Sequence, residues 1–474
     1  MNNSSILRYA RRRKVGGDTI APTVVITSTE TSPSYISPIP LTFTLSEVAT
    51  DFVVGDIAVG AGGSIGNFSG SGTSYTADLT ITTAAATVTV NVAANAFHDA
   101  AGNGNTAATQ FSMTSALLLF DQFITADATP ITTPRTCEPG PGTFVVTDTG
   151  SKAAIASGQL VFSGFTGGGN PALWGGLQTN AAGLAFGIGL RSDPNDAGYI
   201  YMGLDSNQAG IPITRMTYSP ASQTITTLAD GGYAPPFISP SLVRATMHKY
   251  LMIHRGSTAG LLFLVKPSGG SWTLAWPTND DSSSALYPTV GMEYWESSNA
   301  YADNAKVVSL PAPLNTANGL ATQALTGSRS QGDAFVHLGD CFIGFYNTTL
   351  PASGQHEIQF RKQDATNYWQ VTIDSTGAID LDEIVAGVTT QRGTGAGVVN
   401  GNRVIIQAIG TTIRVSIGAI GETQKINYTS ASNFATSTDG SLLTLGASGA
   451  VSNIISWPRT ITGAIATILD AVFP

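Results

Sequence analysis

The carboxylate pairs of this chain are the side chains whose spacing comes nearest to catalytic chemistry. Glycoside hydrolysis needs two carboxyl groups facing one bond, and residues i and i+2 of a β-strand share a face. In "MEYWES", Glu293 and Glu296 fall on opposite faces of a strand, and in "DLDE", Asp380 and Asp382 share a face without a third carboxylate beside them. The sequence therefore predicts no catalytic residue and a protein that is not an enzyme.

Calcium is the one cofactor that the sequence leaves open. Acidic and amide residues cluster in "SDPNDAG" (192–198), "TNDDSSS" (278–284) and "HDAAGN" (98–103). Calcium takes six to eight oxygen ligands, which Asp193, Asp196, Asp280 and Asp281 could help to supply. The same residue types also form turns without any ion, because they bond their own backbone. No other metal site is predicted.

Two tryptophans could form a glycan contact. Trp272 and Trp276 in "GSWTLAWP" are spaced to share one face of a strand, where aromatic rings can stack on a sugar. Packing in the core or between sheets is the alternative, and it needs no ligand.

The N-terminal stretch is strongly basic, whereas the whole chain is acidic, with a net charge of -9. A secretion signal needs an apolar segment of about 7–15 residues after its basic residues, but "VGGDTIAPT" supplies Gly, Asp and Pro there. The acidic body also argues against nucleic-acid binding. We therefore predict that residues 1–17 are a docking arm, whose contact residues are Ile6, Leu7, Arg8, Tyr9, Arg11, Arg12, Arg13 and Lys14.

The composition indicates an all-β chain of about three domains. Hydrophobic residues make up 42% and charged residues 11% of the 474 positions, and Thr, Val and Gly are abundant. No run of 18 apolar residues occurs, so we expect no membrane insertion. The two cysteines, Cys137 and Cys341, are expected to be free thiols in different domains.

Residues 18–115 resemble a bacterial Ig-like domain. The similarity is carried by "DTIAPTVVIT" at the start, "VVGDIAVGAGGSIGNFSGSGTSYTADL" in the middle and "NAFHDAAGNGN" near the end. Alternating apolar and polar residues between Gly/Ser-rich turns give the strand spacing of such a sandwich. The resemblance implies an Ig-like β-sandwich, of a kind that occurs in adhesins and on phage virions.

The rest of the chain contains an internal repeat, which shows as three blocks, each a pair of similar segments. "GYIYMGLDSNQAG" (198–210) aligns with "NYWQVTIDSTGAI" (367–379), "TAGLLFLV" (258–265) with "GTTIRVSI" (410–417), and "AKVVSLPAP" (305–313) with "SNIISWPRT" (452–460). The first block pairs Tyr199 with Tyr368 and Asp205 with Asp374. These strands resemble concanavalin-like or laminin-G-like jelly rolls. We therefore predict two tandem, duplicated jelly-roll sandwiches over 116–312 and 313–474.

Taken together, these features resemble a tailed-bacteriophage virion structural protein of the capsid decoration, head-fibre or tail-appendage type. We expect assembly in the host cytoplasm, a place on the virion surface, and contact with other virion proteins through the arm. The sandwiches would act as adhesive modules that bind host surface glycans, and we expect a homo-oligomer. The alternative is a bacterial cell-surface adhesin or matrix protein exported by a non-classical route.

Deletion of residues 2–17 tests the docking arm. The sandwiches should stay folded, because no predicted strand begins before about Thr19. The truncated chain should fail to attach to particles that lack the protein, and attachment of the intact chain should weaken with salt, which screens exposed charges. Co-sedimentation with particles measures both effects. Full attachment after the deletion would place the docking surface on a sandwich.

Overall fold

The computed structural model describes residues 18–124, 131, 135–147, 153–162, 172–175, 184–192, 199–205, 214–219, 224–229, 232–233, 237–238, 246–254, 261–277, 287–293, 300–312, 314, 320–418 and 423–473. Within these ranges the chain forms two compact units. Residues 18–82 and 86–115 form the first unit, and residues 83–85 together with 116 onward form the second.

The first unit is a sandwich of two antiparallel sheets. Its elements are β1 Val24–Ser28, β2 Ile39–Leu45, a 3-10 helix Val54–Asp56, β3 Ile57–Val59, β4 Gly63–Ser71, β5 Ser74–Ile81, β6 Thr87–Val92 and β7 Phe111–Thr114. In the described residues the sheets are ordered β1-β2-β5-β4 and β3-β6-β7. Its strands alternate buried and exposed residues, as in β2, where every second side chain is apolar and buried. Aromatic rings of Phe43, Phe52, Phe97 and Tyr75 fill the space between the sheets.

The second unit begins with a larger sandwich, which we call sandwich 1. Its described strands are β8 Leu117–Asp121, β9 Arg135–Thr136, β10 Thr143–Thr147, β11 Ala153–Ala156, β12 Gln159–Phe162, β13 Ala172–Gly175, β14 Leu184–Ser192, β15 Tyr199–Asp205, β16 Thr214–Ser219, β17 Thr224–Ala229, β18 Gly232–Tyr233, β19 Phe237–Ile238, β20 His248–His254, β21 Leu261–Lys266, β22 Thr273–Pro277, β23 Tyr287–Glu293 and β24 Ala300–Ser309. One sheet runs β18-β17-β16-β15-β23-β13-β10-β9, with β19 on β17. The other runs β11-β12-β24-β14-β20-β21-β22, with β8 on β24.

Sandwich 2 follows after Ser309 and ends in a helix. Its elements are β25 Gln323–Ser328, β26 Ala334–Val336, β27 Cys341–Thr349, β28 Gln355–Lys362, β29 Tyr368–Asp374, β30 Ala378–Val385, β31 Val388–Ala396, β32 Asn402–Ile409, β33 Thr412–Gly418, β34 Thr423–Tyr428, β35 Asp439–Thr444, β36 Ala450–Pro458 and α1 Gly463–Val472. The described strands form two six-stranded sheets, β25-β36-β27-β32-β33-β34 and β26-β35-β28-β29-β30-β31. The predicted fold class, an Ig-like sandwich followed by two β-sandwiches, is confirmed.

Strand order shows how the two later sandwiches correspond. The neighbours β24-β14-β20-β21-β22 repeat as β36-β27-β32-β33-β34, and β23-β15-β16-β17 repeat as β35-β28-β29-β30. The second and third sequence blocks fall on corresponding strands, β21 with β33 and β24 with β36, and are confirmed. The first block is wrong, because β15 corresponds to β28, whereas Tyr368 and Asp374 lie on β29. Adjacent strands of one sheet alternate between apolar and polar residues in the same way. The sequence comparison therefore aligned β15 with β29, which is the neighbour of its counterpart β28.

The chain returns from sandwich 2 to sandwich 1 through the residues after β36. Arg459 and Ile461 pair with β22 through the backbone: the Leu274 N–H donates to the Arg459 carbonyl at 2.8 Å, and the Ile461 N–H to the Trp272 carbonyl at 2.8 Å. The Arg459 side chain is buried and donates to the Leu274 carbonyl. Sandwich 2 therefore covers the free edge that β22 would otherwise present.

Helix α1 then packs on sandwich 1. Its Asp470 accepts a hydrogen bond from the Trp272 indole at 2.8 Å and forms an ion pair with Lys266. At the C-terminal end, Lys249 donates to the Phe473 carbonyl at 3.1 Å, where a helix end carries partial negative charge. A Cβ on Gly187 would lie 2.2 Å from the Phe473 ring, so that ring sits directly on the sheet.

Both cysteines are buried free thiols, Cys137 in sandwich 1 and Cys341 in sandwich 2, as the sequence predicts. Burial raises the pKa of the Cys341 thiol to about 12, so it stays protonated at neutral pH. Among the helices of the described ranges, none has the length and apolarity to cross a membrane. The apolar composition of α1 instead matches its packing against sandwich 1, where Leu469 and Val472 are buried.

Replacing Phe473 with Ala tests whether α1 stabilises sandwich 1. The free energy of unfolding should fall by about 3 kcal/mol, the low end for truncating a buried Phe. Urea unfolding followed by tryptophan fluorescence reports on the second unit alone, because every tryptophan lies outside residues 18–115. Thr467→Ala, at an exposed position of α1, is the matched control and should change stability by less than about 0.5 kcal/mol. Equal losses in both variants would contradict the packing role.

Candidate functional site

One face of the sheet that contains β28, β29 and β30 is lined by polar side chains. Along each strand, apolar residues point into the core of sandwich 2, as Ile358 and Phe360 do on β28. Successive side chains alternate between faces, so the intervening polar residues share the opposite face. We call this surface the polar face; its members are Glu357, Gln359, Gln370, Thr372, Asp380, Asp382, Gln391, Thr394, Ser441 and Thr444.

The register of the strands aligns these side chains in two rows that cross the sheet. The first row runs Ser441, Gln359, Gln370, Asp382, Gln391, each residue directly opposite the next. The second row runs Thr444, Glu357, Thr372, Asp380, Thr394 in the same way. Directly opposed side chains in an antiparallel sheet lie about 4.5–5.5 Å apart at Cβ, so each row is a continuous line of hydrogen-bonding groups.

Hydrogen bonds fix the side chains within each row. Ser441 donates its hydroxyl to Gln359 Oε1 at 2.9 Å, and Gln370 donates its amide to Asp382 Oδ2 at 3.1 Å. In the second row, Thr444 donates to Glu357 Oε2 at 2.7 Å. These contacts hold the rotamers in place before any ligand arrives, which reduces the entropic cost of binding.

Exposure varies across the polar face. The central side chains, such as Gln359 and Gln370, are largely buried among their neighbours. Glu357 and Asp380 are partly exposed, whereas Gln391 and Thr394 at the β31 end are exposed. A ligand would therefore meet exposed groups at one end and a packed, ordered floor in the middle.

The carboxylates of the polar face act on one another. The pKa of Asp382 is raised, first by burial and then by the charges of Asp380 and Glu357, while its hydrogen bond from Gln370 opposes the shift. The sequence correctly placed Asp380 and Asp382 on one face of a strand. It missed Glu357, the third carboxylate, because that residue comes from β28 rather than from the same strand. Polar residues at every second position of "QHEIQFRK" are the signal that could have identified it.

Glu383 belongs to the opposite face and positions the edge strand. Arg392 of β31 donates to Glu383 Oε2 from two nitrogens, at 2.9 and 2.6 Å, and Asn433 donates to Glu383 Oε1 at 2.6 Å. The Trp369 indole in turn donates to the Asn433 carbonyl at 3.0 Å. This network ties β31 to the core of sandwich 2, and the neighbouring Gln391 is thereby held in the first row.

An open groove of about 390 Å³ adjoins the Ser441 end of the first row. Phe335 and Val336 of β26 supply apolar walls, and Lys362 supplies a cation that donates to the Ser441 hydroxyl at 3.5 Å. The volume lies within the range of small-ligand sites in proteins. The polar face therefore continues into a concave surface at this end.

Trp272 and Trp276 are not available as a glycan contact. Each is about 1% exposed. Trp272 faces Phe473 and Asp470, and Trp276 lies edge-on to Phe342 of sandwich 2, with ring centroids 5.5 Å apart. The packing alternative holds for both, because each ring is covered by the contact between the two sandwiches.

The other predicted site residues fall outside the described residues. These are the docking arm, Ile6 to Lys14, and the calcium candidates Asp193, Asp196, Asp280 and Asp281. In "HDAAGN", Asp99 accepts hydrogen bonds from the backbone N–H groups of Ala101 and Asn103, both at 2.8 Å, so this segment forms the turn that the sequence favoured.

A group of acidic oxygens also converges at that turn. One carboxylate oxygen each of Asp18, Glu47 and Asp99 lie within 4.8 Å of one another. The pKa of Glu47 is raised by desolvation and by the charges of Asp18 and Asp99. These three residues could hold a cation of the kind that prefers oxygen ligands.

Comparison with known protein families identifies the N-terminal part of the chain. Residues 18–115 match the family model described as a bacterial Ig-like domain, which confirms that resemblance for about a fifth of the chain. No curated protein matches.

Solved structures align with parts of the chain at low identity. A glycoside hydrolase family protein from Mycobacterium thermorestibile is 13% identical over 40% of this chain and 100% of that chain, with a TM-score of 0.28. An immunostimulatory antigen and pseudo beta-1,3-glucanase of Mycobacterium tuberculosis is 11% identical over 41% and 100%, with a TM-score of 0.30. A carbohydrate-binding module from Bacillus subtilis is 13% identical over 27% and 84%, with a TM-score of 0.21. Similarity this low says nothing about the activity of this chain.

Proposed function

We propose that this chain is a non-catalytic adhesive protein that binds a glycan through the polar face of sandwich 2. The observation that carries the proposal is the alignment of ten hydrogen-bonding side chains in two rows across five strands. Polar residues on a solvent-facing sheet are common, but long amides and carboxylates held against one another in register offer many fixed partners to a ligand with many hydroxyls.

The size of the polar face fits an oligosaccharide. Neighbouring strands lie about 4.8 Å apart, so a row across five strands extends about 19 Å. The groove beside Ser441 lengthens the surface at one end. Several sugar units could therefore contact the rows at once, and many weak hydrogen bonds would add to a useful affinity.

The hydrogen bonds of the carboxylates favour binding over hydrolysis. Both oxygens of Glu357 accept side-chain hydrogen bonds, from Gln355 at 2.8 Å and from Thr444 at 2.7 Å. One oxygen of Asp382 is occupied by Gln370. A glycosidase instead needs a carboxylic acid that delivers its proton to the leaving oxygen, opposite a second carboxylate. Glu357, with both oxygens occupied, is arranged as an acceptor rather than as a proton donor.

A binding assay with Gln370→Ala tests the polar face. On an array of immobilised polysaccharides, affinity for the bound glycans should fall about 3- to 10-fold, because a neutral hydrogen bond contributes about 0.5–1.5 kcal/mol. Gln407→Ala is the matched control, since Gln407 is an equally buried glutamine on the other sheet of sandwich 2. Unchanged binding by the Gln370 variant, or equal losses in both variants, would argue against this face.

Purified protein should hydrolyse none of the glycans that it binds, at any pH. Reducing-end release over a prolonged incubation is the measurement. Turnover that is abolished by Asp382→Asn or Glu293→Gln, while binding persists, would make the protein a glycosidase instead.

We also propose that the adhesive protein is displayed on a virion surface. The support is the sequence: a basic stretch, Arg11 to Lys14, directly precedes an array of β-sandwich modules. Docking through this arm would leave the polar face free to meet host glycans, and several copies would bind with avidity. Mass spectrometry of purified virions tests this setting. Detection only in bacterial surface fractions would favour the adhesin alternative.

A further inference from the structure

The charges of the polar face bear on which glycans it can accept. Glu357, Asp380 and Asp382 lie on two strands separated only by β29, and the raised pKa of Asp382 reflects their mutual repulsion as well as burial. Gln370 and Thr372, which lie between them on β29, are neutral. Among the described residues, the cation that donates a hydrogen bond to a member of either row is Lys362, at Ser441.

Lys362 lies on the same strand as Glu357 but is too far along the first row to neutralise Asp382. Ser441 and Asp382 are separated by three strand spacings, about 14 Å at about 4.8 Å each. The middle of the polar face is therefore negative, and an anionic substituent placed there would be repelled.

The hydrogen-bonding groups of the polar face also disfavour an anionic substituent. One amide N–H of Gln370, one of Gln355 and the Thr444 hydroxyl are already directed at carboxylate oxygens of the face. Ionised carboxylates only accept, and each has about four lone-pair sites. Around Glu357 and Asp382 the face thus offers mainly acceptors. A sugar hydroxyl can donate to them, whereas a sulfate or carboxylate substituent cannot.

We expect no bound metal ion to bridge an anionic ligand to the carboxylates of the polar face. Within the described ranges, Asp18, Glu47 and Asp99 are the one acidic trio whose oxygens converge closely enough to hold a metal ion, and they belong to the Ig-like domain. The carboxylates of the polar face are spread over two rows instead.

We infer that the polar face selects uncharged glycans and excludes anionic ones through the carboxylates of Glu357, Asp380 and Asp382. This inference rests on the proposed function, because it concerns the same surface. The three carboxylates are then specificity-determining residues, because they repel the negative charge of an anionic glycan.

Matched polymers test the inference. Wild-type protein should bind dextran or laminarin at least about tenfold more tightly than the sulfated derivative of the same polymer. The triple variant Glu357→Gln, Asp380→Asn, Asp382→Asn keeps the shapes and removes the charges. It should bind the sulfated polymers at least about tenfold more tightly than wild type does, with a much smaller change for the neutral ones.

The control is a triple variant with the same change in net charge, Glu30→Gln, Asp56→Asn, Asp78→Asn, in the Ig-like domain. It should keep the wild-type preference, which separates a local effect from the total charge. Acidification gives a second readout. Because the pKa of Asp382 is raised, lowering the pH should weaken the exclusion of sulfated polymers in wild type, and less so in Asp382→Asn.

The outcomes separate the inference from the proposed function. If wild type binds sulfated and neutral polymers equally, or sulfated ones more tightly, the inference is wrong and glycan binding stands. If a preference for neutral polymers survives in the triple variant of the polar face, other residues set the specificity and the inference is again wrong. If neither wild type nor the variants bind any neutral or sulfated polysaccharide, the proposed function itself fails.

Discussion

The backbone pairing of Arg459 and Ile461 with β22 is the contact that joins the two sandwiches of the second unit. It carries the chain from the last strand of sandwich 2 onto the edge of sandwich 1, and α1 follows onto the sheet. The segment closes an edge and supplies Asp470 as a partner for Trp272 and Lys266. Because sandwich 1 obtains these contacts only from the end of the chain, the two sandwiches are linked in stability as well as in sequence.

The two outer faces of sandwich 2 carry different kinds of side chain. On the β27 sheet, outward aromatic residues such as Phe342 meet Trp276, and buried Arg403 lies over the Trp457 ring at 5.3 Å. On the β28 sheet, the outward positions are amides, hydroxyls and carboxylates. Apolar outer faces are stable only when covered, so the first face joins the sandwiches. The second is polar, with Gln391 and Thr394 exposed at its β31 edge, and needs no apolar cover.

Much of the fold was predictable from local pattern. Alternation of apolar and polar residues fixes which side of a strand faces a core, and Gly-rich turns mark where strands end. These signals identified the Ig-like domain, the all-β class and two of the three repeat blocks. They failed for Tyr199 and Tyr368, because neighbouring strands carry similar alternation and a single sequence contains nothing that distinguishes one from the next. For the same reason, the sequence indicated that Asp380 and Asp382 share a face but could not bring Glu357 beside them.

The sequence by itself determined the class of each segment: sandwich modules, free buried cysteines, and a polar alternation on β28, β29 and β30. Only the tertiary structure decided which side chains meet. It buries Trp272 and Trp276 in the contact between the two sandwiches. It also packs the apolar C-terminal helix on sandwich 1, and it aligns two polar rows across five strands. The physical reason is that burial pattern is a local property of a strand, whereas strand order and register are set by long-range pairing between segments far apart in the chain.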